Sequence, residues 1–472
     1  MLKIAFSSIV LALVAQAAFA GQLHFKPYTF KSDSGKTVSA QWGELKVPLK
    51  HGVHNGKTIT LSFVRFKSTN PHPGYPIVYL AGGPGGSGID AATGKRFPLF
   101  MALRKVADVI ALDQRGTGAS NVIPACTAVK PPQIDKPATR AMIIGYYRSA
   151  IEHCVAFWRQ QGVDLSAYNT RQNALDLESL RKALGVKKLN LWGISYGSTL
   201  ALAALKVMPE RIDRVVLASP LAMTQTVRLP ARTQDFLKRV DALTDGDLLG
   251  TMKTVLDRLA KNPAKVKVRR KPDEKPVTLT ITRFVARAFT LPLLKDPDRL
   301  RYVPAMYHAM AANHFQPIAM RLYKGLRTPL SFDGMGLAVR AASCVSPERA
   351  RRAEAQAKHT LLGNSFNFFT KLVRRAGIPH LDRDFCKPVH SDVPTLVLTG
   401  TLDGRTYPAG HAAILEGLSN GQEVVIENAG HDLFMSSPKV TTDIADFLSH
   451  QPVKYSTIKI PPPEFVIPKR AR

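Results

Sequence analysis

In Leu189-Asn190-Leu191-Trp192-Gly193-Ile194-Ser195-Tyr196-Gly197-Ser198-Thr199-Leu200 an apolar run gives way, across two glycines, to a helix-prone segment. The run at 189–192 reads as a buried parallel strand and residues 199–207 as the helix that follows it. Between them Gly193-x-Ser195-x-Gly197 fits a nucleophile elbow, a strand-to-helix turn so tight that its flanking positions must be glycine. Such a turn leaves the Ser195 hydroxyl exposed at a helix N-terminus. The three fixed residues are common, and a serine in an ordinary loop is the alternative; the strand before and the helix after give the pattern its weight.

Working outward, β-branched runs at 58–66, 76–80, 109–112 and 215–218 also read as strands. Leu177, Leu180 and Leu184 recur at helical spacing and stop at Gly185, a C-cap residue. Strand alternating with helix predicts an α/β fold with a mostly parallel sheet flanked by helices. From 221 to about 390 the pattern turns helical, with Arg and Lys on polar positions and punctuation at Pro230, Pro263, Pro292, Pro297 and Pro329. Strand character returns at 395–399 and 423–426. We therefore expect a core of residues 21–220 and 391–455, a helical cap at 221–390 inserted between the sixth strand and the strand bearing Asp403, and an extended basic tail at 456–472.

A serine hydroxyl is a poor nucleophile until a base takes its proton, and that base needs an orienting carboxylate. Asp403 follows the strand at 395–399, and His431 follows the strand at 423–426. The chain order Ser, Asp, His is that of the α/β-hydrolases. Asp432 is a rival carboxylate beside the histidine. Backbone donors for an oxyanion are available in Ala81-Gly82-Gly83-Pro84-Gly85-Gly86-Ser87-Gly88 and in the Tyr196 amide. Pro84 has no N–H, so Gly83 is the better donor. A phosphate-cradling loop is the competing reading, but the Gly-Lys-Ser/Thr ending is missing.

The whole sequence has 472 residues, 45% of them hydrophobic, which excludes a peptide hormone, a collagen or a low-complexity disordered chain. Residues 1–20 read as a signal peptide: Lys3, an apolar stretch, then Ala18-Phe19-Ala20 before a cleavage point, with an uncleaved anchor as the alternative. Export to a periplasm or the medium follows. There the four cysteines can pair, and proximity favours Cys126 with Cys154 and Cys344 with Cys386; buried free thiols remain open. Their spacing suggests neither zinc nor a redox centre, and no metal or cofactor is expected. The net charge of +30 is spread along the chain, densest at Lys265, Lys267, Arg269, Arg270 and Lys271, which run into Pro272 as a solvated loop would. No nucleic-acid-binding signature accompanies it, so non-specific association with anionic envelope polymers is the expected use of the charge.

Taken together, Gly82-Gly83-Pro84-Gly85-Gly86, Asp113-Gln114-Arg115-Gly116-Thr117-Gly118, the elbow, and the Asp403 and His431 segments resemble the proline iminopeptidase and tripeptidyl aminopeptidase branch of the α/β-hydrolases. The resemblance implies a serine peptidase trimming peptide N-termini beneath a helical cap, with Ser195 as nucleophile, His431 as base and Asp403 as its orienter. It implies that Asp113 and Arg115 tie loops together. Secreted members follow the cap cysteine with an acidic pair suited to a free amine, whereas Cys344 is followed by Val345-Ser346-Pro347-Glu348. Ala81 also stands where the iminopeptidases often have histidine. Glu348 is the candidate to bind the substrate amine, against a plain surface glutamate. An esterase or other acyl hydrolase with the same triad is the nearest alternative, and a non-catalytic envelope-binding protein on this scaffold the more distant one. In either enzymatic reading the substrate is a peptide or small acyl compound.

Overall fold

Within Ile77–Leu80, Ile77 and Tyr79 join one apolar cluster, Val78 and Leu80 another, and all four are fully buried. Successive side chains of a strand project to opposite faces, so a strand apolar at every position must be covered on both. The computed structural model describes residues 22–54, 56–120, 123–127, 139–244, 246–269 and 275–467. The expected signal peptide lies outside the described residues, as do Arg270, Lys271 and Pro272 of the basic cluster and residues 468–472 of the tail.

In chain order the strands are β1 (Leu23–Lys31), β2 (Thr37–Pro48), β3 (Thr58–Phe66), β4 (Ile77–Leu80), β5 (Val109–Leu112), β6 (Cys126–Thr127), β7 (Leu189–Ile194) and β8 (Ile212–Ala218). There follow β9 (Ala264–Val268), β10 (Val277–Ile281), β11 (Ser331–Phe332), β12 (Thr395–Gly400), β13 (Gly421–Glu427) and β14 (Thr457–Lys459). Ten of them form one sheet in the order β1-β2-β3-β5-β4-β7-β8-β12-β13-β14. Pairing is antiparallel from β1 through β3 to β5 and parallel from β5 to β14. The order turns back at β4, so the C-terminal ends of the parallel strands frame a crevice of the kind where α/β sheets bind ligands.

β8 and β12 are neighbours, Val215 opposite Thr395 and Ala218 opposite Leu398. Everything between them leaves the sheet and returns to the next position. This insertion has its own core: Met252, Val255, Leu256 and Leu259, one face of the helix Leu248–Lys261, pack with Phe236, Leu237 and Val240 of the helix Pro230–Ala242. Pro230 and Pro297 open helices, where a missing N–H is tolerated.

Three expectations are corrected. The insertion follows the seventh strand of the sheet in chain order, not the sixth, because β1 adds an antiparallel edge with six of its nine residues exposed outright in succession, which gives no alternation to read. Lys265 and Lys267 lie in β9, paired with β10, rather than in a loop. In Ala264-Lys265-Val266-Lys267-Val268 the lysines face solvent and the apolar residues alternate with them, a period of two hidden by the density of charge. The tail, finally, is not wholly extended over the surface: Thr457–Lys459 closes the sheet against β13, with Ile458 buried.

Both favoured disulfides are formed, Cys126–Cys154 and Cys344–Cys386. The first ties β6, which pairs with β11 of the insertion, to the helix Arg140–Gln160. Among the described residues no helix is long and apolar enough to cross a membrane.

Candidate active site

β7 passes into the helix Tyr196–Val207 through Ser195, whose φ of 55° and ψ of −117° lie where non-glycine residues are strained. The amide of Ser195 donates to Ala218 O at 3.0 Å, anchoring the turn to β8. A Cβ at Gly193 would come 2.5 Å from Gly197 O, and one at Gly197 would collide with Leu80 O on β4. Both glycines are therefore demanded by closure of the elbow against its neighbours, and the serine is held at the start of a helix.

Asp403 leaves the end of β12 and is wholly buried. Its Oδ1 accepts the amides of Arg405 at 2.7 Å and Thr406 at 2.9 Å; its Oδ2 accepts the Thr406 hydroxyl at 2.6 Å and His431 Nδ1 at 2.9 Å. Burial alone would raise its pKa, but the facing imidazole and these donors hold the carboxyl down at about 2. An ionised Asp403 can only accept, which fixes a proton on Nδ1 and leaves Nε2 of His431 as acceptor. His431 follows β13, with its own amide bonded to Lys295 O at 3.0 Å and its carbonyl receiving Ser219 Oγ at 2.8 Å. Asp432, the rival, points elsewhere, paired with Lys95 at 2.9 Å and Arg96 at 2.8 Å. Thr406 was not foreseen; Asp403-x-x-Thr406, a side chain capping its own turn, was the signal available.

Ser195 and His431 line one cavity of about 280 Å³, together with Gly82, Gly83 and Lys295. Among the described residues the imidazole bonds to Asp403 and Thr406, and no hydrogen bond joins it to Ser195 Oγ; such bonds are commonly loose before substrate binds. A Cβ on Gly82 would sit 3.2 Å from Ser195 Cβ, so only glycine lets the loop lie this close. Neither the Gly83 nor the Tyr196 amide donates to another backbone group among the described residues. Arg340 Nη2, from the insertion, donates to Gly83 O at 2.9 Å and ties the loop to the helix Gly334–Ala342.

Asp113 and Arg115 brace this end of the sheet. Asp113 accepts from Ser87 Oγ at 2.6 Å and from the amides of Ile89 and Ala119, while the fully buried Arg115 grips Asp176 through Nε and Nη2 at 2.7 and 2.6 Å.

A second cavity, about 70 Å³, adjoins the first beneath the insertion and shares Gly83, Ser195 and Arg405 with it; Tyr196, Met223, Val339, Ser343, Cys344 and two further arginines, Arg228 and Arg340, are in its wall. Among the described residues neither aspartate nor glutamate lines it. Glu348, the candidate for amine binding, is not there. It lies in the first turn of the helix Pro347–Ala357 with a side chain 73% exposed, 3.4 Å from Arg351, and lines an adjoining cleft that shares Ser343, Cys344 and Leu381 with this cavity. That helix buries only Ala353, so it stands away from the core and carries Glu348 outward. Among the described residues no group of three or more His, Cys, Asp or Glu side chains is placed to hold a metal ion.

A model of the α/β-hydrolase fold family matches residues 75–438, and the chain belongs to that family. Among curated proteins it is 31% identical to a tripeptidyl aminopeptidase of Streptomyces lividans over 187 residues, 38% of this chain and 35% of the relative. It is 30% identical to the serine protease Hip1 of Mycobacterium tuberculosis over 185 residues, 37% of this chain and 35% of that one. The matched part thus spans about a third of the length of these relatives. Among solved structures, a proline iminopeptidase of Mycobacterium smegmatis is 13% identical, with a TM-score of 0.38 over 86% of this chain and 98% of the other.

Proposed function

We propose that this protein is an exported serine hydrolase that cleaves peptide amide bonds through an acyl-enzyme, with Ser195 as nucleophile, His431 as general base and Asp403 as its orienter. The observation that supports it most is the buried Asp403–His431 pair opening on the same cavity as the strained Ser195. In the first step Ser195 Oγ bonds to the substrate carbonyl carbon while its proton passes to His431 Nε2. The negative charge formed on the carbonyl oxygen is met by the amides of Gly83 and Tyr196, assisted by the helix N-terminus at Ser195. Collapse breaks the C–N bond, and the departing amine takes the proton from His431. Water, deprotonated by the same imidazole, then releases the acid.

The names of the relatives support peptidase activity, and the two disulfides support export into an oxidising compartment. A second reading, an esterase or other acyl hydrolase with the same machinery, is favoured by one observation: among the described residues no carboxylate lines the cavity beneath the insertion to meet a substrate ammonium. An unpaired ammonium there would be costly to desolvate. A fluorophosphonate should label the wild type stoichiometrically and leave Ser195→Ala untouched. Folded wild type that resists labelling would overturn the proposal; free-amine, blocked and ester substrates then separate the two readings.

A further inference from the structure

The cavity beneath the insertion is lined by charge of a single sign. Arg228, just before the helix Pro230–Ala242, Arg340 on the helix Gly334–Ala342, and Arg405 after β12 come from three distant parts of the chain to one wall. Each is only partly exposed. Arg228 is held by Nε donating to Arg405 O at 2.9 Å and by its guanidinium lying 5.7 Å from the Phe366 ring. Arg340 is held by its bond to Gly83 O. Among the described residues none of the three forms an ion pair within 4.0 Å. Two carboxylates act on them through space, Asp403 on Arg228 and Asp333 on Arg340, but their hydrogen bonds go elsewhere: Asp403 to His431 and Thr406, and Asp333 to the Gly336 amide it caps. Burial, together with the neighbouring Arg405, pushes Arg228 and Arg340 down to about 10. Cations gathered out of water with no carboxylate in contact are unfavourable unless something anionic joins them.

Which part of a substrate reaches this wall follows from the proton. His431 must deliver its proton to the leaving atom, so the leaving group occupies the cavity that His431 lines. The arginine cavity shares Gly83, Ser195 and Arg405 with it but is not lined by His431; its own wall, at Arg228 and Arg340, is left for the acyl part.

Resting on the acyl-enzyme reading above, we propose that the substrate's acyl part carries a carboxylate, which Arg228, Arg340 and Arg405 bind beside Ser195. A guanidinium fork matches a carboxylate in two parallel hydrogen bonds, and three forks at one wall select strongly against a cation. The natural donors of this class are peptides beginning with a blocked acidic residue, or amides and esters of dicarboxylic acids.

Three anilides of similar length test this: glutaryl-, pentanoyl- and 5-aminopentanoyl-p-nitroanilide. The expected order of kcat/KM is glutaryl first, by about ten- to a hundredfold over pentanoyl, the size of one or two charge-assisted hydrogen bonds, with the aminopentanoyl compound last. Arg228→Gln and Arg405→Gln, each verified as folded by near-UV circular dichroism, should remove most of the glutaryl advantage while fluorophosphonate labelling of Ser195 persists. Equal or better turnover of pentanoyl anilide by enzyme whose Ser195 is reactive to fluorophosphonate in a parallel sample overturns this proposal and spares the serine hydrolase. Calorimetric binding of glutarate against pentanoate to Ser195→Ala reads the same pocket without catalysis. Equal affinities there overturn the proposal whatever the labelling shows, and a glutarate preference lost in Arg228→Gln upholds the pocket even if the serine proves unreactive.

Discussion

His431 Nδ1 lies 2.9 Å from Oδ2 of Asp403, a carboxylate with no exposed surface whose other oxygen is filled by two backbone amides. The carboxylate is thus oriented before the histidine meets it, and the histidine's proton has one place to sit. Asp403→Asn keeps the shape but offers an amide that favours the opposite tautomer. The rate of fluorophosphonate labelling at Ser195 should drop by about 10³- to 10⁴-fold with the fold unchanged. A drop below tenfold would remove Asp403 from the relay.

Gly197→Ala should disable the enzyme without touching its polar groups. The added methyl is aimed at Leu80 O on the adjoining strand β4, so either strand or elbow must move. Backbone cannot yield as a flexible side chain can, and overpacking of this kind costs about 1–3 kcal/mol or more. We expect a lower midpoint in urea and labelling at Ser195 slowed at least tenfold; wild-type values for both would contradict the packing described.

Acid should weaken the molecule in part through Asp432. Burial raises its pKa, but Arg96 and Lys95 outweigh that and hold it at about 2, below its ordinary value of 3.8. A group depressed in the folded state contributes stability above its unfolded pKa and loses it as pH falls through the folded one. Asp432→Asn should therefore cost about 2 kcal/mol at pH 7, with the difference from wild type narrowing as pH drops from 4 toward 2. Urea titrations across that range read it; a pH-independent difference would show that the ion pairs do not stabilise the fold.

The bridge Cys344–Cys386 closes a separation of 42 residues and pins Cys344 at the wall of the arginine cavity. Constraint of the unfolded chain by a loop of this size is worth about 3–4 kcal/mol. The double variant Cys344→Ser/Cys386→Ser should lose that much in denaturant unfolding and label more slowly at Ser195. Unchanged stability would mean that the bridge is unformed or redundant.

The seven strands legible in the sequence, from 58–66 to 423–426, were legible because each is a short apolar run between turn residues. β1 was not, since six exposed residues in succession give no inward-outward alternation, and the hairpin of β9 and β10 was not, since the lysines of β9 hide its period of two. At the site, Gly193, Ser195 and Gly197 announce themselves because backbone closure dictates neighbouring residues, and Asp403 and His431 because each follows a readable strand. The position of Glu348, outside the Ser195 cavity and in the cleft adjoining it, was not legible, since a polar helix bearing one buried alanine gives no sign of which way its first turn faces.

Local sequence settled the α/β alternation, the glycine-bounded turn at Ser195 and the chain order of its partners, all consequences of short-range sterics and hydrophobic period. Tertiary structure alone decided what surrounds the serine. Arg228, Arg340 and Arg405 are separated by more than a hundred residues of sequence in the first gap and by much of the insertion's return in the second, and charge carries no record of which distant segment it will face. Only the folding of the insertion back over the sheet brings the three guanidinium groups to one wall and leaves Glu348 in the adjoining cleft.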